Sequence, residues 1–196
     1  MRRELKFCVF FASTGFLAAC ATTPSHRPDS EFHAASSLYL CSGVGITNAP
    51  VADASRRIVS YTPAVTVRGV SLLRAPVTAC VSSGFGPRRG GAGSFHDGVD
   101  LYTGSPHQVV ASGDGEIAFA KRLSGYGLVI EIQHANGVTT RYAHLSSFAP
   151  GLRPGARVHA GDFIGETGRT GNATAVHLHY EIRISGRPQN PLTIGQ

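Results

Sequence analysis

The stretch that best indicates the fold lies near the C-terminus and reads Val176-His177-Leu178-His179-Tyr180-Glu181-Ile182-Arg183-Ile184. Polar and apolar residues alternate through it, with β-branched and aromatic side chains among the apolar ones, which is typical of a strand with one buried face. Side chains two residues apart in a strand point the same way, about 7 Å apart. His177 and His179 therefore share a face, where they suit a metal ligand beside a proton-transfer group; two surface histidines are the alternative.

The composition indicates one folded domain that is rich in β structure. The chain has 196 residues, of which 42% are apolar and 15% are charged, so it can bury a core and is not intrinsically disordered. Its 24 glycines and 11 prolines are scattered, which indicates many turns and short strands. No window shows a sustained helical period, and we expect a mainly β fold.

The charge distribution argues against a nucleic-acid partner. The formal net charge is +6, but the arginines are dispersed, and the short pairs Arg56-Arg57 and Arg88-Arg89 are not interleaved with aromatic residues. A nucleic-acid-binding face would need a continuous basic patch. A mildly basic surface would instead attract an anionic polymer such as cell-wall material.

The N-terminus has the pattern of a secretion signal. Residues 1–19 begin with Arg2, Arg3 and Lys6 and continue with an apolar run too short to span a bilayer. The run ends at Leu17-Ala18-Ala19-Cys20, which resembles the bacterial lipobox that is cleaved directly before a cysteine that becomes lipidated. An ordinary signal peptide cleaved elsewhere is the alternative.

The resemblance to a lipobox implies a location for the mature chain. Ala21 is not the aspartate that retains lipoproteins in the inner membrane. In a Gram-negative envelope we therefore expect a lipid anchor at Cys20, on the periplasmic face of the outer membrane. Residues 20–37 contain serine, threonine and proline with few apolar residues and are expected to form a flexible lipidated tether.

Two cysteines remain once one has left with the signal and Cys20 has taken the lipid. In an oxidising compartment Cys41 and Cys80 favour a disulfide, which would hold residues 38–75 on the main domain. A zinc site on both thiolates and two free thiols are the alternatives. The segment is poorly patterned except for a predicted strand at 64–73, which could be an extra edge strand or a flap over the active site.

From residue 76 to residue 196 the pattern becomes regular, with short apolar or alternating runs separated by glycine. The predicted strands are 77–81, 109–111, 116–120, 128–132, 138–144, 163–165 and 176–184. Asn136-Gly137 is a strong hairpin signal between two of them. Short strands at this spacing predict an antiparallel sandwich or barrel-like sheet.

A candidate metal site emerges from His96, Asp100 and His179. In a straight strand His96 and Asp100 would lie about 13 Å apart, too far to share an ion. Gly98, between them, permits a bend that would bring both to one metal. With His179 they form a set of two imidazoles and one carboxylate, which suits a catalytic zinc with an open fourth position.

Two further histidines are candidates for moving protons. His144 ends a predicted strand in Tyr142-Ala143-His144-Leu145, and His177 precedes the ligand candidate by one strand step. Neutral imidazole suits proton transfer near pH 7. Glu181 shares the strand face of His177 and His179, but a structural salt bridge explains it equally well, and it is left outside the predicted site.

Several motifs together resemble the lysostaphin/LytM-type zinc metalloendopeptidases, family twenty-three of the metallopeptidases. They are Ser83-Gly84-Phe85-Gly86-Pro87-Arg88, His96-x-Gly98-x-Asp100, Tyr142-Ala143-His144-Leu145, Thr167-Gly168-Arg169-Thr170-Gly171-Asn172-Ala173-Thr174 and His177-Leu178-His179. The resemblance covers about residues 72–192 and implies the fold called the duplicated hybrid motif. Many members have proline where this chain has Val176; since both residues favour extended backbone, we expect a small shift and retained ligation.

The resemblance implies a role for each matching residue. His96, Asp100 and His179 would bind Zn²⁺, while His144 and His177 would orient and deprotonate the attacking water or stabilise the tetrahedral intermediate. The substrate would be peptidoglycan, which would be cut in its stem-peptide cross-links. If the protein is a Gram-negative lipoprotein, the resemblance implies that the bond cleaved joins D-alanine to diaminopimelate.

Two other functions compete with the enzyme. Some relatives have lost metal ligands and activate cell-wall amidases, and a structural lipoprotein with incidental histidines is the third possibility. The full set of ligands and catalytic histidines favours an active zinc endopeptidase at 76–196. Any regulatory protein partner is unknown.

Overall fold

The computed structural model describes residues 34–88 and 95–196. The predicted signal peptide at 1–19, the predicted lipid anchor at Cys20 and the tether up to residue 33 lie outside these residues. Within the described part of the chain, no helix is both long enough and apolar enough to cross a membrane.

Regular structure in the described residues consists of fifteen strands and a 3-10 turn at Ala135–Gly137. The strands are β1 (Ala64–Val67), β2 (Val70–Leu73), β3 (Cys80–Ser83), β4 (Gly86–Pro87), β5 (Phe95–His96), β6 (Val99–Tyr102), β7 (Gln108–Val110), β8 (Gly115–Leu123), β9 (Gly127–Gln133), β10 (Val138–Leu145), β11 (Ser147–Phe148), β12 (Arg157–Val158), β13 (Phe163–Glu166), β14 (His177–Ile184) and β15 (Arg187–Gln189). All pairings between these strands are antiparallel, and the predicted mainly β, antiparallel fold is confirmed.

The largest sheet places strand β14 between β10 and β6. Its order is β12-β8-β9-β10-β14-β6-β3, with β15 also paired to β14. A three-stranded sheet, β11-β13-β7, packs on it, because Val109 and Ile164 belong to the same buried cluster as Leu178 and Tyr180. The residues of β14 therefore have close neighbours on both sides and on the core face.

Strand β14 has two buried faces, so the prediction of a single buried face is wrong. The apolar side chains of one face are fully buried in the core: Leu178, Tyr180 and Ile182. On the opposite face Glu181 is 0% exposed, and His177 and His179 are only 9% and 7% exposed. The polar face is enclosed because it forms the floor of a cleft.

The stretch 64–73, predicted as one strand, is a hairpin of β1 and β2. Arg68 (φ 48°) and Gly69 (φ 80°) form its two-residue turn, and both have the left-handed backbone of a type I′ hairpin. The side chains that face the core are Val65, Val67, Val70 and Leu72. This hairpin contributes to the core and lines no part of the cleft described below.

The hairpin predicted at Asn136-Gly137 is confirmed. These residues join β9 to β10, with φ values of 58° and 71° that asparagine and glycine tolerate best. Strand β6 was not predicted, although Val99 and Leu101 alternate there with more exposed residues. β6 pairs with both β14 and β3 and completes the sheet beneath the site.

Residues 38–58 lie beside β3, at the edge of the large sheet. Leu38 and Ile58 are buried, and the backbone N–H of Ile58 donates to the carbonyl of Leu38 at 2.8 Å. Cys41 and Cys80 are joined by a disulfide that links this segment to β3.

Candidate active site

Neighbouring strands bring the predicted metal ligands together. The β14–β6 register aligns His179 with Asp100, and the β10–β14 register aligns His179 with Ala143 on the other side. His96 ends β5, and only two residues separate it from the start of β6. The sheet therefore fixes the relative positions of His96, Asp100 and His179.

The three candidate ligand atoms form a triangle. His96 Nε2, His179 Nδ1 and Asp100 Oδ1 lie 3.0 Å from one another. In a tetrahedral site with zinc–ligand bonds of about 2.0–2.2 Å, ligand atoms lie about 3.3 Å apart. Two imidazoles and one carboxylate at this spacing fit Zn²⁺ and leave a position for water or substrate.

The chain bends at Gly98, as predicted, and a second feature of the structure also requires glycine there. The bend does not depend on a left-handed backbone, because the φ of Gly98 lies outside that region. A Cβ atom at this position would lie 2.2 Å from the carbonyl oxygen of Tyr180. The glycine therefore permits the close approach to β14 that brings His96 and Asp100 up to His179.

Groups behind the ligands orient His96 and Asp100. His96 Nδ1 donates to the carbonyl oxygen of Gly84 at 2.7 Å, which leaves Nε2 as the ring nitrogen with the free electron pair. Asp100 Oδ2 accepts a hydrogen bond from Arg88 Nη2 at 3.2 Å, so Oδ1 is the oxygen turned to the two imidazoles. Gly84 and Arg88 belong to the motif at 83–88, which gives that motif a structural role.

Glu181 orients the third ligand and was missed by the sequence analysis. Its Oε1 accepts a hydrogen bond from His179 Nε2 at 3.1 Å, which turns His179 Nδ1 toward the other ligands. Arg183 Nη1 donates to Glu181 Oε2 at 2.5 Å, and Arg141 Nη1 lies 3.6 Å from the same oxygen. The signal was present in the sequence, because strand alternation places Glu181 one step from His179 on the same face.

The pKa values of the ligand cluster follow from these contacts. Burial alone would raise the pKa of Asp100, but hydrogen bonds from His179 and His96 outweigh it and hold the pKa well below its usual range. Burial alone would lower the pKa of His179, but the carboxylates of Asp100 and Glu181 raise it to about 9. Before metal binds, the cluster is held together by charge-assisted hydrogen bonds, and a metal ion would displace the shared protons.

His144 has an unusual backbone conformation. Its φ of 62° is left-handed, and it lies at the irregularity in the β9–β10 register between Tyr142 and Leu145. Its Nδ1 donates to the carbonyl oxygen of Thr170 at 2.8 Å, which leaves Nε2 to accept a proton. Burial and the neighbouring His177 lower the pKa of His144 to about 4, so the ring is neutral at pH 7.

Thr170 holds His144 in place and is a second residue that the sequence analysis did not single out. Its hydroxyl donates to the carbonyl oxygen of Leu145 at 2.8 Å and accepts from the N–H of Leu128 at 2.9 Å. A Cβ atom at Gly127 would lie 2.3 Å from this hydroxyl oxygen. Part of the motif at 167–174 therefore serves to fix the catalytic candidate His144.

His177 is oriented in the same way as His144. Its Nδ1 donates to the carbonyl oxygen of Ala175 at 2.9 Å, and its Nε2 lies 3.7 Å from Asp100 Oδ1. The ring centroids of His144 and His177 are 4.8 Å apart. Both imidazoles thus stand beside the ligand triangle with Nε2 available. Val176 stands where many lysostaphin/LytM-type proteins have proline. The strand that follows Val176 nevertheless places His177 and His179 at these positions.

These residues line one cavity of about 910 Å³. All five predicted site residues border it: His96, Asp100, His144, His177 and His179. A reacting group in the cavity would be within reach of the ligands and of both proton-transfer candidates. The arrangement can hold a metal ion and can move protons beside it.

Known proteins are similar in sequence and in fold to part of this chain. Residues 94–191, half of the chain, match the sequence pattern of peptidase family M23. The DD-carboxypeptidase/endopeptidase Mpg of Neisseria meningitidis serogroup B is 46% identical over 100 residues, which are 51% of this chain and 23% of that protein. The murein hydrolase activator NlpD of Salmonella dublin is 34% identical over 124 residues, 63% of this chain and 31% of that protein.

A solved peptidase structure has a similar fold. A zinc-containing peptidase from Vibrio cholerae superposes with a TM-score of 0.59 and 28% identity over 66% of this chain and 45% of that chain. The chain thus spans less than a third of the length of the two curated relatives and under half of this structure. Because residues 94–191 include the whole ligand triangle and both adjacent histidines, the predicted resemblance is confirmed, and this chain belongs to peptidase family M23.

Proposed function

We propose that the protein is a zinc-dependent endopeptidase that hydrolyses peptide bonds in the stem-peptide cross-links of peptidoglycan. The observation that carries the proposal is the complete site in one cleft. Three ligand atoms lie 3.0 Å apart, and two imidazoles with available Nε2 atoms stand beside them. A relative named for DD-carboxypeptidase and endopeptidase activity supports the same chemistry.

The metal and the side chains would have separate tasks. His96, Asp100 and His179 would hold Zn²⁺, which supplies a Lewis acid that lowers the pKa of water and polarises a carbonyl group. His144 is neutral at pH 7 because its pKa is lowered to about 4, so its Nε2 can accept a proton. His177 lies next to His144 with its Nε2 beside the same triangle; this nitrogen can accept a hydrogen bond or proton from the attacking water and, once protonated, can pass the proton to the departing amine.

An activator of cell-wall amidases is the second candidate, since NlpD is also a relative. An activator does not need metal ligands, and nothing in that function would preserve a ligand triangle or the left-handed backbone at His144. The intact site therefore favours the enzyme.

Digestion of purified sacculi tests the proposal. The zinc-loaded protein is expected to convert cross-linked muropeptide dimers into monomers, a chelator to stop the conversion, and added Zn²⁺ to restore it. Chromatography of the soluble muropeptides measures the result. A zinc-loaded protein that releases no monomers but accelerates a cell-wall amidase would establish the activator instead.

For its location, we propose that Cys20 carries a lipid that anchors the protein at the periplasmic face of the outer membrane, as the stretch Leu17–Cys20 suggests. Labelled palmitate is expected to be incorporated into the wild-type protein and not into Cys20→Ser, with the wild type in the outer-membrane fraction. Equal labelling of both proteins would contradict the anchor.

A further inference from the structure

Residues 38–48 extend the large sheet beyond its edge strand β3. The N–H of Val81 donates to the carbonyl of Tyr39 at 2.8 Å, and the N–H of Cys41 donates to the carbonyl of Val81 at 3.0 Å. Further on, the N–H of Gly84 donates to the carbonyl of Thr47 at 2.8 Å. Residues 42–46 lie between these two anchor points and project from the edge as a loop.

The loop is fixed at both of its ends. At the first end, the disulfide joins Cys41 to Cys80 of β3, and Arg56 Nη2 donates to the carbonyl oxygen of Cys41. At the second end, Asn48 Nδ2 donates to the carbonyl oxygen of Pro87 at 2.9 Å. A Cβ atom at Gly84 would lie 1.8 Å from the carbonyl oxygen of Asn48, so only glycine permits this contact.

The fixed loop forms one wall of the active-site cleft. Ser42, Val44 and Thr47 line the same cavity as the ligand triangle and the two catalytic candidates. The sheet order β9-β10-β14-β6-β3 places this wall on the β3 side of the site. Tyr126, in the turn before β9, lines the cleft from the opposite side. A peptide that crosses the ligands must therefore pass between the two walls.

The wall presents uncharged groups to the cleft. Its side chains are two hydroxyls and the aliphatic Val44, which is 52% exposed. Two more partly exposed apolar side chains line the cavity, Phe95 at 46% and Tyr102 at 40%. The charged lining residues of the described chain lie at or next to the ligands instead: Arg88, Asp97 and Asp100. An uncharged stretch of peptide with small apolar side chains, such as alanyl residues, matches this surface.

We propose that residues 42–47 are a substrate-binding wall of the cleft, in which Val44 contacts an uncharged, alanyl portion of the peptide and the Cys41–Cys80 disulfide holds the wall in place. The inference rests on the proposed endopeptidase function and specifies how that site selects its substrate. It assigns a binding role to a segment outside the residues that match the family pattern, 94–191. Val44 is a specificity-determining residue and takes no part in the chemistry.

Matched valine substitutions test the wall. With a purified cross-linked muropeptide dimer as substrate, Val44→Asp is expected to lower kcat/KM about tenfold through a higher KM, since it loses one apolar contact with the peptide. Val51→Asp adds the same charge to a valine that is 78% exposed and lies outside the cleft, and its kcat/KM should stay within about twofold of wild type. Equal kcat/KM values for the two variants would overturn the proposal.

The disulfide has its own test. The double variant Cys41→Ser, Cys80→Ser is expected to retain zinc and a cooperative thermal transition while its KM rises, because the loop loses one fixed end. An unchanged KM would show that the disulfide does not position the wall. If the double variant does not fold, the Val44 and Val51 pair still decides the role of the wall.

A binding measurement distinguishes an effect of the wall on substrate binding from an effect on bond cleavage. Fluorescence anisotropy of a labelled muropeptide dimer is measured on zinc-loaded protein, with Val44→Asp and Val51→Asp compared in a His144→Ala background. Weaker binding only with Val44→Asp supports the wall even if the wild type proves unable to cleave. If the wild type cleaves and neither valine affects binding, the endopeptidase stands and the wall is wrong.

Discussion

Replacing His179 with alanine is expected to abolish cross-link hydrolysis and to reduce zinc affinity more than any other single change in the cleft. His179 supplies one corner of the ligand triangle, at 3.0 Å from both other ligand atoms, and links it to the buried carboxylate of Glu181. Without it two ligands remain, fewer than the three that a catalytic zinc site uses. Zinc titration against a chromophoric chelator and the muropeptide assay measure the two effects.

Glu181→Gln provides a graded comparison with His179→Ala. An amide oxygen can still accept the hydrogen bond from His179 Nε2 but lacks the negative charge, so zinc affinity is expected to fall about 10–100-fold. His159→Ala is the matched control, because His159 has a side chain that is 80% exposed and lies outside the cleft. If zinc-loaded His179→Ala cleaves as well as the wild type, His179 is not a metal ligand.

The second large effect is expected from His144→Ala, which should lower kcat about 10²–10⁴-fold while zinc content stays at the wild-type level. The ring is held by Thr170 with Nε2 available, and its pKa of about 4 keeps it neutral at pH 7. Loss of the ring removes a proton acceptor without removing a ligand. The separation of activity from zinc content distinguishes His144 from His179.

The backbone at His144 requires a control of its own. A left-handed φ of 62° costs alanine more than histidine or asparagine, because the last two are enriched in this region of backbone conformation. His144→Asn is therefore expected to unfold at a temperature at or above that of His144→Ala, with activity equally low. Zinc loss in both variants would assign His144 a role in the metal site, contrary to the prediction.

Local patterns in the sequence predicted the strands and turns that depend on neighbouring residues alone. The alternation at 176–184 and the Asn136-Gly137 turn each predicted the observed element, because side-chain period and turn conformation are local properties. The hairpin at 64–73 was missed because Arg68 had to adopt a positive φ, which its residue type does not indicate. A second apolar strand, Val70–Leu73, directly after the turn made the two strands look like one.

Contacts between distant parts of the chain could not be predicted in the same way. Gly98 was correctly marked as special, but the carbonyl of Tyr180 that it approaches is 82 residues away in the chain, beyond any local pattern. The orientation of His144 by Thr170 depends on a loop folding back over β10. Glu181 was left outside the site because burial decides between a surface ion pair and a ligand-orienting carboxylate, and the sequence does not display burial.

Because β14 has an apolar face in the core and a polar face in the cleft, a single strand register determines both core packing and the arrangement of the site. A slip of one residue in its pairing would turn Leu178 and Tyr180 into the cleft and push His177, His179 and Glu181 into the hydrophobic core. Burying those polar and charged groups without partners would cost several kcal/mol each. Because such a misregistered sheet would be strongly destabilised, a molecule that completes its core has also aligned His177 and His179 with Asp100 and β10.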